Sequence, residues 1–188
     1  IILNHALIKY GGNIAVSAMG IVIAVNTIVI MPMIGIIQGA QPLIGHNYGA
    51  KKYATSIQTL KIAIRWGTVL SVTGFIIIQI FARQIVSMFN STDQNLISLS
   101  AKALRIFHLM LPLTAIPILA TSFFQAINKP LKAGILSLSR QVLLLLPMVM
   151  ILPLFFGLDG VFYAPPAADF MSVLLASYLL NKYFAKHK

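Results

Sequence analysis

The sequence predicts an all-α fold: a polytopic bundle of transmembrane helices with about five full spans and the end of a sixth. Five apolar stretches (residues 15–37, 62–82, 106–127, 133–156 and 161–180) recur along the 188 residues, and short segments between them hold most of the charge. Each runs about 20 residues, which at about 1.5 Å per residue matches the roughly 30 Å hydrocarbon core of a bilayer. Composition agrees, with 59% of residues hydrophobic, only 9% charged and a mean hydropathy of +0.90. Soluble domains are about 25% charged. Too few polar side chains exist here to coat a surface in water.

Taken in order, residues 1–8 read as the tail of a helix that reaches a turn at Tyr10-Gly11-Gly12-Asn13. The chain starts Ile1-Ile2-Leu3, without an initiator Met or a signal pattern, and so reads as a fragment of a longer protein. The first full span is expected over 14–44 and the next over 57–82. Ser91-Thr92-Asp93 is a helix start, so the third is expected over 93–127, beginning well before its apolar part. Asn128-Lys129-Pro130 interrupts the chain before a helix over 131–156, and Gly157-Leu158-Asp159-Gly160 turns it into the last, over 160–184. Pro32, Pro112, Pro117, Pro147, Pro153 and the pair Pro165-Pro166 fall inside the spans. Each removes a backbone donor. In a membrane such breaks are tolerated where the freed carbonyls face protein or a water-filled cavity. Six broken sites favour a moving, cavity-lining bundle.

The net charge of +11 invites a nucleic-acid reading, which the placement of the charges excludes. Alternate loops and the tail (Lys51, Lys52, Lys61, Arg65; Lys129, Lys132, Arg140; Lys182, Lys186, Lys188) hold ten basic residues. The opposite side holds four, Lys9, Arg83, Lys102 and Arg105, together with Asp93 and Asp159. That asymmetry assigns residues 45–61, residues 128–132 and the C-terminus to the cytoplasm.

Few residues are equipped for chemistry. The absence of cysteine excludes disulfides, Fe–S clusters and thiolate-bound zinc. His5, His46, His108 and His187 show no metal-ligand spacing, and no catalytic triad order, P-loop or dinucleotide fingerprint occurs. Neither an enzyme nor a resident cofactor is expected. His108, in a span, reads first as a satisfied core histidine and second as a proton relay. Asp169 is the only acid within a span, roughly 13 Å from its start. A carboxylate there faces a cavity, pairs or stays protonated. Two roles stand open for it, ion coupling or a structural pair with Arg140. On the first full span Thr27, Met31, Ile34, Gln38 and Gln41 project within about 40° of the direction of Thr27, as a cavity wall or an interhelical seam. Gly35 and Gly39, four residues apart, read as a close packing site.

The run Gly39-Ala40-Gln41-Pro42-Leu43-Ile44-Gly45-His46-Asn47-Tyr48-Gly49-Ala50 resembles the end of the eighth helix of multidrug and toxic compound extrusion (MATE) transporters. Ser122-Phe123-Phe124-Gln125-Ala126 with Lys129-Pro130 is similar to the end of that family's tenth helix. Ser139-Arg140-Gln141 and Pro166-Ala167-Ala168-Asp169 are similar to parts of its eleventh and twelfth. The resemblance implies that residues 1–188 are the C-terminal lobe of a twelve-helix transporter of the bacterial inner membrane, whose N-terminal six-helix lobe is missing. It implies export of amphipathic, often cationic small molecules by antiport with Na⁺ or H⁺, the two lobes rocking about a central cavity. On that basis Thr27, Met31, Gln38, Gln41 and Gln141 are expected at the substrate cavity, and Arg140 and Asp169 in a buried polar network. Some members carry a coupling acid in helix ten; here that stretch reads Leu111-Pro112-Leu113-Thr114-Ala115-Ile116-Pro117, with none. The alternatives are a flippase of lipid-linked precursors or polysaccharide exporter of related fold, and a non-transporting structural subunit of a membrane complex.

Overall fold

The computed structural model describes residues 2–186, Lys186 by its backbone alone; Ile1, His187 and Lys188 lie outside the described residues. Six α-helices account for most of the chain: α1 (Ile2–Gly49), α2 (Tyr53–Ser87), α3 (Gln94–Phe107), α4 (Ala115–Ala126), α5 (Pro130–Leu138) and α6 (Leu145–Lys186). A 3₁₀ turn (Leu111–Leu113) links α3 to α4, and a π-helical segment (Ser139–Leu144) links α5 to α6. Four helical stretches, Ile2–Gly49, Tyr53–Ser87, Gln94–Leu113 and Pro130–Ala185, are long and apolar enough to cross a membrane.

Two of those stretches are hairpins. α1 breaks at Gly12 (φ 64°, ψ −164°) and α6 at Gly157 (φ 56°, ψ −132°), a backbone region that glycine enters without a Cβ penalty. Leu3 and Ile23, on either side of Gly12, line the same cavity, so residues 2–11 lie back along the next segment. Beyond Gly157 the two arms approach closely. A Cβ on Gly160 would overlap the backbone of Leu152 and Pro153. Gly11 sits against the Leu158 side chain, which brings both hairpins to one end of the bundle. Lys102 pairs with Asp159 at 2.6 Å at that end. There too Asp93 caps α3, its Oδ1 accepting from the Asn95 and Leu96 N–H groups at 2.9 and 3.1 Å.

The interior forms two apolar clusters stacked along the helices. The first joins Leu7, Met19, Val22, Ile78, Val86, Leu104 and Phe162 near the hairpin end. The second joins Met33, Ile44, Leu60, Leu119, Phe123, Phe124 and Tyr183 at the other. Small residues let the helices meet: a Cβ on Gly67 of α2 would lie 3.1–3.2 Å from Leu119, Met33 and Ala115. Gly35 and Gly39 do not take part in such a contact. Both are exposed and have open space around them, so no packing partner is found among the described residues. At the second end Tyr183 stacks edge-on to Phe123 and Phe124, and the Lys129 ammonium stands 4.5 Å from its ring centroid.

Candidate functional site: a polar cavity among broken helices

Two irregular stretches of backbone and a proline pair within α6 converge at the level between the two apolar clusters. Prolines at 112 and 117 cannot donate to a helical ladder, and the backbone from His108 to Thr114 leaves the α-helix and passes through the 3₁₀ turn. The Thr114 hydroxyl donates to the Leu111 carbonyl at 2.8 Å, beside the Thr114 N–H that bonds the same oxygen at 3.1 Å. Pro147 lies just beyond the π-helical segment, whose widened turn takes up the missing donor. Pro165-Pro166 precedes Asp169 in α6.

These stretches enclose a cavity of about 300 Å³ lined by Asn26, His108, Thr114, Arg140, Gln141 and Asp169 among apolar neighbours. Arg140 donates from Nε to Asp169 Oδ1 at 2.6 Å, and their side chains keep 35% and 13% of their exposure. Arg140 is thus drawn into the bundle and is not a loop charge, contrary to its place in the charge count. A second cavity of about 260 Å³ shares Ile118, Arg140 and Gln141 with the first and adds Thr121, Gln125 and Ser172. The Arg140 side chain stands at the partition. A larger concavity of about 690 Å³ lies nearer the hairpin end, but its lining is apolar except for Tyr163 and for Asp159, which Lys102 already neutralises. The polar cavity is the better candidate, because convergent polar groups, not volume, orient a guest.

Of the residues selected from sequence, Gln141, Arg140 and Asp169 come together here. Thr27, Met31 and Gln38 do not. They lie on the outer face of α1, Met31 with 63% of its surface exposed, and Gln41 is half-buried beside them. The Thr27 hydroxyl donates to the Ile23 carbonyl of its own helix at 2.9 Å. Asn26, one residue earlier and about 100° around the helix, is the polar α1 residue that lines the cavity, beside Leu3, Ile23 and Ile30. Asn26 and Thr114 escape sequence reasoning; for Thr114 the signal available was a polar group between two prolines, and for Asn26 there was none. His108, read first as a satisfied core residue, is satisfied only in part. Nδ1 meets the Leu104 carbonyl at 2.9 Å, and Nε2 is buried without a hydrogen-bond partner. Among the described residues no three His, Asp or Glu side chains converge to hold a metal ion.

A helical bundle with several spans long and apolar enough to cross a membrane, and a polar cavity at its broken helices, defines a polytopic membrane protein. The sequence model of the MatE family matches residues 1–151, and the chain belongs to that family. It is 26% identical over 180 residues to the multidrug export protein MepA of Staphylococcus haemolyticus, covering 96% of this chain and 39% of that protein. A solved MATE multidrug transporter, DinF-BH with a bound ligand, is 36% identical with a TM-score of 0.82, over 94% of this chain and 39% of its own. Inward-facing and outward-facing structures of a multidrug resistance MATE family transporter match the fold with TM-scores of 0.93 and 0.92. Each is 20% identical and covers 99% of this chain, against 43% and 42% of its own length. The chain spans about two fifths of the length of the curated relatives it matches.

Proposed function

We propose that residues 1–188 are the C-terminal lobe of a multidrug exporter of the bacterial inner membrane. It works by alternating access against a second, six-helix lobe, driven by inward Na⁺ or H⁺. One observation carries this reading: the exposed α1 face that bears Thr27, Met31, Gly35, Gln38 and Gly39. Polar side chains such as Gln38 facing hydrocarbon at membrane depth would forfeit their hydrogen bonds to water. A second lobe and an aqueous cleft between the lobes account for them. Residues 1–8 are then the end of helix seven, and 14–44, 57–82, 93–127, 131–156 and 160–184 helices eight to twelve. Residues 45–61, residues 128–132 and the C-terminus face the cytoplasm, on the charge asymmetry.

MepA is a multidrug export protein, and DinF-BH, a related multidrug transporter, holds a ligand in its solved complex. By this reading the substrates are amphipathic cations held between the α1 stripe and its counterpart, with Gln141, Arg140 and Asp169 behind it. The precursor-flippase alternative needs an uncompensated cation to hold a phosphate. In the polar cavity Arg140 does not supply one, because Asp169 pairs with it; Arg105, the other cation that favours this alternative, lines a separate pocket with Arg83 and Lys102. The test is dye transport by the full-length protein in proteoliposomes with Na⁺ and proton gradients imposed separately. Uphill efflux under one gradient supports the reading. A flux equal to that of empty liposomes under both rejects it.

A further inference from the structure

His108 closes one wall of the polar cavity with half of its imidazole committed. A carbonyl oxygen only accepts, so the 2.9 Å contact with Leu104 places the hydrogen on Nδ1. Nε2 is left with its lone pair, in a side chain only 2% exposed and with no partner. The ring caps the carbonyl end of α3, where the helix dipole favours a cation. The other ionisable groups lining the cavity are Arg140 from the π-helical segment and Asp169 from α6. α1 contributes the neutral Asn26, and the α3–α4 link contributes Thr114.

We propose that this cavity is a proton-binding site in which His108 Nε2 takes the proton and Asp169 changes partner. An incoming proton bonds to the Nε2 lone pair and converts the imidazole to imidazolium; no other covalent bond is made or broken. The set of His108, Arg140 and Asp169 passes from net zero to one positive charge. Asp169 then lies between two cations and shares its carboxylate with the imidazolium. The hold on the Arg140 guanidinium slackens, and that side chain, already at the partition, swings toward the cavity of Thr121, Gln125 and Ser172. The added charge disfavours a cationic guest in either cavity. This deepens the transport reading and takes its physiological use from it, while the titration itself is independent of transport.

The experiment is ¹⁵N-histidine NMR of the full-length protein in lipid. The His108 signal is assigned through its contact with a ¹³C-labelled Leu104 carbonyl, so that no substitution is needed. Between about pH 8 and pH 5 the signal is expected to pass from the Nδ1–H neutral form to the imidazolium. Asp169→Asn lowers the midpoint of that change and Arg140→Gln raises it. A neutral form that persists to pH 5, or a midpoint that neither substitution moves, overturns the proposal. Dye efflux recorded in parallel separates the two readings. Efflux with no titration of His108 removes this inference alone, and titration with no efflux removes the transport reading alone.

Discussion

Asp169 and Arg140 are held at 2.6 Å in a setting where neither is easily replaced singly. Asp169→Asn leaves a guanidinium without its counter-ion. A fully buried pair broken this way loses about 3–5 kcal/mol, and the third of its exposure that Arg140 retains brings the expected loss to about 2 kcal/mol. Arg140→Gln is expected to cost a similar amount, and the double variant Asp169→Asn/Arg140→Gln less than the sum of the two. Thermal unfolding in detergent measures all three, and additive losses would mean that the two groups do not act as a pair. Sequence alone marked Asp169, because a lone acid in an apolar span must have a reason. It did not mark Asn26, since neighbouring residues on an apolar helix differ by about 100° in direction and nothing local reveals which direction is inward.

Turns and caps were readable because their chemistry is local. Gly12 and Gly157 take positive φ, the Asp93 carboxylate accepts from two N–H groups, and Asn128, before Pro130, sits in the left-handed region at φ 55°. Asp93→Ala is expected to cost about 1 kcal/mol, read as a drop in thermal stability that Asp93→Ser largely restores. Gly160→Ala is the harsher change. The methyl would meet the Leu152 backbone, which cannot swing aside as a side chain does. A loss of about 1–3 kcal/mol is expected, visible as a lower unfolding temperature and a lower yield of folded protein. The π-helical segment was not readable: Pro147 announces a defect but not whether the helix kinks, tightens or widens. Nor was the true partner of the small residues. Lipid and protein interior are equally apolar, so hydropathy cannot tell a packed face from a lipid face. Gly67 proved to be buried where Gly35 and Gly39 are exposed.

For the whole molecule, the charge asymmetry predicts that a cysteine at position 51 is labelled from the cytoplasm and one at position 91 from outside; the reverse pattern refutes the orientation. Two stacked apolar clusters with a polar layer between them suit a lobe that moves as a body while its middle binds and releases solutes. On the proposed reading such a lobe is incomplete at one face, and the stripe on α1 is that face. The chain contains no cysteine, so single thiols placed in it report without background. The most direct measurement is labelling of Met31→Cys, Gln38→Cys and Ile76→Cys, each in the full-length protein, with a water-soluble reagent that cannot cross the bilayer. Ile76 on α2 is half exposed and supplies the lipid-facing reference. The account predicts that positions 31 and 38 react, that a cationic dye protects them, and that position 76 does not react. Positions 31 and 38 as inert as 76, reached only by a lipophilic reagent, would contradict it.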